Sequence, residues 1–189
     1  AIYQNLDIVR TLLPKYVLVL SGDHVYKMDY GALLAYHEQR QAELTVACVG
    51  VSLNDARGFG VMAVDDDFGV RRFDEKPSDP QPMPGTPDIA LASMGNYVFN
   101  TDFLLRMLEA DTANEMSSHD FGKDIIPKVI DKYRVMTFPF RDAKKGEQAY
   151  WRDVGTLQSY YNTNMDLKDP MPNLNLYNPL WPARSVRHQ

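Results

Sequence analysis

Apolar and polar positions in this chain repeat with a period that switches several times between that of a strand and that of a helix. Tyr16-Val17-Leu18-Val19-Leu20 and residues 44–51 are apolar on both faces, as strands inside a parallel sheet are. Ile2, Leu6 and Val9 mark an amphipathic helix ahead of the first. Between the two, Asp29 is placed to cap a helix running to about Arg40, with Leu33, Leu34 and His37 on one face. His37 reads as part of that face rather than as a ligand. A turn through Asn54 and Asp55 then leads to Gly58-Phe59-Gly60 and to strands at 61–64 and 70–73. Asp65-Asp66-Asp67-Phe68-Gly69 joins them as a hairpin connection. The pattern continues with a Pro-rich loop over 78–87, a strand over 91–99 and a helix over 101–110 capped by Thr101. A helix over 122–132 contains Pro127, which kinks or restarts it. A strand over 135–140, an extended piece over 150–153 and a helix over 156–167 follow, and 170–189 reads as an extended linker. This alternation predicts an α/β fold with a mostly parallel sheet.

Composition narrows the class. With 189 residues, 44% of them hydrophobic and 24% charged, the chain can bury one sizeable core and forms one domain or most of one. The net charge is −5, and the basic pairs Arg71-Arg72 and Lys144-Lys145 stand apart from any basic stripe, which speaks against nucleic acid as a partner. No apolar run approaches the roughly 20 residues that cross a bilayer, so no membrane role is expected. Cys48, the one cysteine, sits in an apolar run and reads as a buried, inert thiol, in keeping with a reducing compartment. The chain opens inside a helical pattern and ends at 185–189 without a stop signal, so it reads as a piece cut at both ends.

Several residues fall where such a fold places chemistry. Ligands of open α/β sheets bind beyond the carboxyl ends of strands, and Asp23 stands there after Gly22, which permits a tight turn. A carboxylate at that point suits a hard cation such as Mg²⁺, and a plain turn aspartate has the same local pattern. Asp153, between Tyr150-Trp151-Arg152 and Val154-Gly155-Thr156, lies at a second strand-to-helix transition, where an acid can also simply serve the helix N-terminus. Two such aspartates from distant segments are what a phosphate-bridging Mg²⁺ needs. In Phe73-Asp74-Glu75-Lys76-Pro77, Pro77 is expected to hold Lys76 extended, so that its ammonium can clamp a sugar phosphate. Glu75 then faces the other way and can accept sugar hydroxyls; an exposed strand end would read the same. Ser93-Met94-Gly95-Asn96-Tyr97 suits close approach of a ligand, and Ser117-Ser118-His119-Asp120-Phe121-Gly122 is a polar loop opening a helix. The three adjacent aspartates lack the alternating ligands and final glutamate of an EF-hand loop and read as a solvated turn.

Taken in order, these segments resemble the ADP-glucose pyrophosphorylases (glucose-1-phosphate adenylyltransferases). The likeness rests on Leu20-Ser21-Gly22-Asp23-His24-Val25-Tyr26-Lys27, Gly58-Phe59-Gly60-Val61-Met62, Phe73-Asp74-Glu75-Lys76-Pro77 and the stretch from Leu91 to Phe99. It continues through Ser117 to Pro127, through Tyr150 to Thr156, and into Trp181-Pro182-Ala183-Arg184. The resemblance implies a Rossmann-like nucleotidyltransferase domain, incomplete in this chain. Residues 1–169 would be the partial catalytic domain and 170–189 a linker toward a C-terminal β-helix. It implies that Asp23 and Asp153 hold Mg²⁺ and that Lys76 binds the phosphate of glucose 1-phosphate. It also implies that Glu75, Ser93, Tyr97, Asp120, Phe121 and Trp151 line the glucose pocket, with Gly60 letting the backbone approach the ligand. The implied reaction is in-line attack of glucose 1-phosphate on the α-phosphorus of ATP, giving ADP-glucose and pyrophosphate for glycogen biosynthesis. An allosteric enzyme of the bacterial cytoplasm, homotetrameric at full length, goes with that reading.

The family's Gly-rich triphosphate loop, first strand and β-helix have no counterpart in these residues, so the chain alone is expected to be inactive. Asn96 and the exit Ser185-Val186-Arg187 receive no role. Two alternatives stay open: a pyrophosphorylase using UTP or dTTP, and a non-catalytic regulatory subunit. Both aspartates and Lys76 are present, which favours catalysis.

Overall fold

The computed structural model describes residues 2–141 and 148–183. Lys144-Lys145, Arg184 and the exit Ser185-Val186-Arg187 lie outside the described residues. The chain divides into two compact units, residues 1–21 with 29–148, and residues 22–28 with 149–189.

The first unit opens with a 3-10 turn Tyr3–Asn5 and helix α1 Leu6–Leu12, then strand β1 Tyr16–Val19. After β2 His24–Tyr26, which belongs to the second unit, come α2 Tyr30–Gln39, β3 Leu44–Ser52, α3 Leu53–Ala56, β4 Gly60–Val64 and β5 Val70–Glu75. Then follow β6 Ile89–Asn100, α4 Thr101–Thr112, a π-helical turn Phe121–Ile125, α5 Ile126–Val129 and β7 Val135–Pro139. Asp29 caps α2 as its position predicts, its Oδ1 accepting from the N–H groups of Gly31 and Ala32 at 2.9 and 3.3 Å. Pro127 stands in the first turn of α5, so it restarts a helix there rather than kinking one. Thr101 is not a cap: Asn100 holds that position without a side-chain bond, and the Thr101 hydroxyl donates to the Pro14 carbonyl at 2.5 Å.

Six strands form one sheet in the order β5-β4-β6-β3-β7, with β1 also pairing β6. Strand β6 is its axis. It pairs with β3 from Leu44↔Phe99 to Ser52↔Ile89, and on its other side takes β4 near its start and β1 near its end. The α/β class expected from the pattern holds, and the sheet is mixed. Strands β1, β3 and β4 run antiparallel to β6, and β7 runs parallel to β3, so four strands share one direction while β5 and β6 oppose them. A strand buried on both faces is a continuous apolar run whichever way it points, so the pattern located β6 without revealing its direction. The core under the sheet joins Leu44, Val46 and Cys48 of β3 to Leu91 and Phe99 of β6, Phe103, Leu104 and Leu108 of α4, and Ile126 and Val129 of α5. Burial pushes the Cys48 thiol well up, out of reach of ionisation at neutral pH. In the 65–69 turn, the Asp65 carboxylate accepts from the N–H groups of Asp67 and Gly69 and pairs with Arg71 at 2.7 Å.

The second unit is built on a two-stranded antiparallel ladder of β2 with β8, Trp151–Asp153, in the register His24↔Asp153, Val25↔Arg152 and Tyr26↔Trp151. Helix α6, Leu157–Asp166, starts from a capping box of Thr156 and Ser159. Its far end is tied back to β8, because the Tyr150 hydroxyl and Arg152 Nε both donate to Asp166 Oδ2 at 3.0 Å.

Candidate functional site

The β2–β8 register decides where the two aspartates go. His24 pairs with Asp153, so Asp23, one residue earlier, falls opposite Val154, whose N–H closes the corner on the Asp23 carbonyl at 3.0 Å and leaves Asp153 diagonally across from Asp23. Asp23, His24 and Asp153 thereby each offer a ligand atom within 4.8 Å of one another. Asp153 Oδ1 accepts the Gly155 N–H at 2.6 Å, which fixes that carboxylate's plane. A Cβ on Gly155 would lie 3.0 Å from Asp153 Oδ1 and 3.8 Å from Asp23 Oδ2, so the backbone passes close under both acids. Gly22 has an ordinary φ and open space around it, so the turn there does not require glycine, contrary to its expected use. The donor set fits a divalent cation: two hard carboxylates at one point, that of Asp23 exposed to solvent. His24 Nε2 is 3.5 Å from Asp23 Oδ1, and its ring meets the buried Trp151 edge-on at 5.0 Å.

The remaining candidates belong to the first unit. Glu75 ends β5 opposite Gly60, and Lys76 follows it. The extended backbone expected at Lys76 before proline is not what forms: its φ is +48°, in the left-handed region. The cause is the end of the β4–β5 ladder, where Lys76 N–H donates to the Phe59 carbonyl at 3.0 Å and the chain must swing away. The backbone there is strained, which a β-carbon normally avoids. Gly60 has a steric reason to lack a side chain. A Cβ would stand 2.4 and 2.8 Å from ring atoms of Phe73 and 3.1 Å from Glu75 Oε2.

Ser93 and Tyr97 flank an irregularity in β6. Ala47 faces Asn96 while the next residue, Cys48, faces Ser93, so Met94 and Gly95 form a bulge. Gly95 takes φ +65° and donates its N–H to Ser93 Oγ at 3.2 Å. Burial pushes the Tyr97 hydroxyl up to about 12, the Ser93 hydrogen bond opposes this, and the charges of Asp120 and Glu75 add to it. The Tyr97 ring packs 5.4 Å from that of Phe121, which in turn lies 5.4 Å from Phe99. Asp120 caps the π-helical turn, its Oδ1 accepting from Lys123 N–H at 2.9 Å. Gly60, Glu75, Lys76, Ser93, Tyr97, Asp120 and Phe121 thus belong to one unit, and Asp23, Trp151 and Asp153 to the other.

Residues 1–170 match the family described as nucleotidyl transferase. The chain belongs to that family. It is 57% identical over its whole length to a protein of Methylococcus capsulatus named glucose-1-phosphate adenylyltransferase. Proteins of the same name from Shewanella oneidensis and Shewanella baltica are 55% and 54% identical, again across all of this chain. The chain spans 45% of the length of each of these relatives. No helix among the described residues is long and apolar enough to cross a membrane.

Two positions gain a place in this chain that the sequence did not suggest. His24 joins the acidic pair; alternation along a strand would point neighbours 23 and 24 to opposite faces, so no periodic signal marked it. Asn96, given no role from sequence, is fully buried and accepts the Ser21 N–H at 3.0 Å, pinning the chain just before the Gly22-Asp23 corner.

Proposed function

We propose that this chain carries the sugar-phosphate and metal side of a glucose-1-phosphate adenylyltransferase, forming ADP-glucose and pyrophosphate from ATP and α-D-glucose 1-phosphate. The observation that carries the reading is the meeting of Asp23 and Asp153, from opposite ends of the chain, within 4.8 Å across the β2–β8 ladder. The full-length identity to relatives of that name supports the choice of reaction. On this reading residues 1–169 are catalytic, 170–189 lead to a further domain, and the intact protein is an allosteric homotetramer of the bacterial cytoplasm.

Asp23 and Asp153 would hold Mg²⁺, which when bound neutralises charge on the nucleotide phosphates and orients them. The protein's share is placement. Lys76 presents a point charge to the sugar phosphate, set off the end of β5 by its left-handed backbone. Glu75 and Asp120 accept sugar hydroxyls, and Ser93 and Tyr97 bound the pocket from the β6 bulge. A sugar-phosphate oxygen held in line then bonds to the α-phosphorus as the bond from that phosphorus to the pyrophosphate oxygen breaks. Holding the reactants at contact distance removes most of the entropic barrier.

The test is pyrophosphate release by the full-length protein with Mg²⁺, glucose 1-phosphate and, in parallel, ATP, UTP and dTTP. ADP-glucose formed from ATP is the expected result. No product from any nucleotide would leave the regulatory-subunit alternative, and a preference for UTP or dTTP would change the substrate.

A further inference from the structure

Asp111 breaks two local rules. It is a carboxylate in the last turn of α4, where the helix dipole disfavours negative charge, and it is buried, with its side chain only 6% exposed. A charge kept in such a place must be compensated by specific partners. Asp111 Oδ1 accepts the Ser117 hydroxyl at 2.6 Å, Oδ2 accepts His119 Nδ1 at 2.8 Å, and Lys128 Nζ stands 3.9 Å from Oδ1. Because an ionised carboxylate only accepts, His119 must carry its proton on Nδ1. Burial alone would raise the Asp111 carboxyl, but the Ser117 and His119 hydrogen bonds and the charges of His119 and Lys128 hold it below the usual range.

These bonds close on the segment 117–120, which leads directly into Asp120 and Phe121. Ser117 Oγ also accepts the His119 N–H at 3.1 Å, and His119 takes φ +60°, so the chain is bent back at that residue. Asp124 grips the same segment from the helix side, accepting from Ser118 N–H and Oγ and from Asp120 N–H at 3.1, 2.6 and 3.1 Å. Packing does not hold this bend on its other flank. His119, Asp120 and Phe121 border a cavity of about 530 Å³ whose wall also includes Tyr3, Leu108 and Asp111. The serine and the histidine both point to the carboxylate and not to each other, so the group is not a nucleophile with its base.

We propose that Asp111 is a positioning residue for sugar binding: it holds the strained 117–120 bend and thereby aims Asp120 and Phe121 at the sugar. The proposal rests on the sugar-phosphate reading of this unit. Asp111 itself touches no substrate. It acts by replacing a mobile loop with one backbone path, so its loss should weaken sugar binding while leaving the nucleotide side untouched.

The experiment uses the full-length protein with ATP and glucose 1-phosphate, comparing wild type, Asp111→Asn and the double variant Ser117→Ala/His119→Gln. In Asp111→Asn the KM for glucose 1-phosphate should rise about tenfold, the effect of one charge-assisted hydrogen bond. The KM for ATP should stay within about twofold. The double variant should show the same split, and adding Asp111→Asn to it should change little further, since the three residues act as one unit. An unchanged sugar-phosphate KM in Asp111→Asn overturns the proposal, as does an equal rise for both substrates, which would mark general destabilisation. Should Asp111→Asn fail to fold, an unchanged KM in the double variant overturns it instead. Wild type that turns over glucose 1-phosphate while the variants match it sinks this inference alone; wild type without turnover sinks the functional reading and this proposal with it.

Discussion

Replacing Gly60 by alanine tests whether the sugar side of the site is held by packing. The added Cβ would lie 2.4 and 2.8 Å from two ring atoms of Phe73, where carbon contacts settle at about 3.5–4.0 Å. The ring must therefore retreat by about 1 Å or more. Its retreat is limited on the Gly122 side, where a Cβ would already be 3.0 Å from two atoms of the same ring and 3.3 Å from Asp120 Oδ1. Phe73 is seated between the two glycines, and pushing it from Gly60 presses it toward the Asp120 turn while the new methyl crowds Glu75 Oε2 at 3.1 Å. Overpacking of this kind costs about 1–3 kcal/mol, which for a chain of this length lowers Tm by roughly 2–12 °C. Calorimetry of this chain should register that loss, and steady-state kinetics of the full-length protein should show the KM for glucose 1-phosphate raised about tenfold or more with the KM for ATP little changed. Phe73→Leu in the same background removes the clashing ring edge and should restore part of both losses. A Gly60→Ala protein with wild-type Tm and KM would refute the steric reasoning, and a double variant worse than the sum of the two singles would refute the route through Phe73.

Four further outcomes follow from the same geometry. Asp153→Asn keeps an oxygen for the Gly155 N–H, so Tm should hold within about 2 °C while Mg²⁺-dependent turnover falls roughly 100-fold or more; near-normal turnover would remove Asp153 from the metal site. Lys76→Ala and Lys76→Gly both delete the ammonium and should raise the KM for glucose 1-phosphate alike. Only the glycine relieves the left-handed backbone, a strain of about 1 kcal/mol, so it should be the more stable by scanning calorimetry; equal stability would deny the strain. Cys48, fully buried with its thiol pushed up, should react with iodoacetamide at pH 8 only in denaturant, and equal rates with and without denaturant would contradict the packing. The Asp111 carboxyl titrates below its unfolded value, so its stabilisation is fully present above about pH 4 and fades as pH falls through the lower folded value. The Tm deficit of Asp111→Asn at pH 7 should accordingly shrink in strong acid, and a constant deficit would contradict the depressed carboxyl.

The chain's elements were legible where one local cause suffices. Asp29 capping α2, Pro127 at the start of α5 and the buried run of β3 each follow from a side chain and its immediate neighbours. What the pattern did not carry was set by partners far away in sequence. The direction of β6 depends on β1, β3 and β4 choosing to flank it, and an apolar run is silent about that. The Thr101 hydroxyl looked like a cap because caps are hydroxyls, yet the Pro14 carbonyl, brought in by β1, claims it.

At the candidate site the same distinction explains which residues could be named in advance. Acids and a lysine at strand ends are visible as residue types, so Asp23, Asp153, Glu75 and Lys76 could be picked out singly. The supports around Lys76 and Asp120 could not, because each depends on a backbone geometry that ordinary propensity rejects. Proline after Lys76 argues for extended backbone, yet the closing of the β4–β5 ladder forces φ to +48°. Histidine at 119 bends through φ +60° with its Nδ1 donating to the carboxylate of Asp111, a group out of place at a helix C-terminus and out of water, and its N–H donating to Ser117 Oγ. Left-handed residues thus stand beside both Glu75 and Asp120, the two acids that share influence on Tyr97. Strain in these places is maintained by hydrogen bonds from other elements, which is the condition under which a loop can present one conformation to a ligand before the ligand arrives.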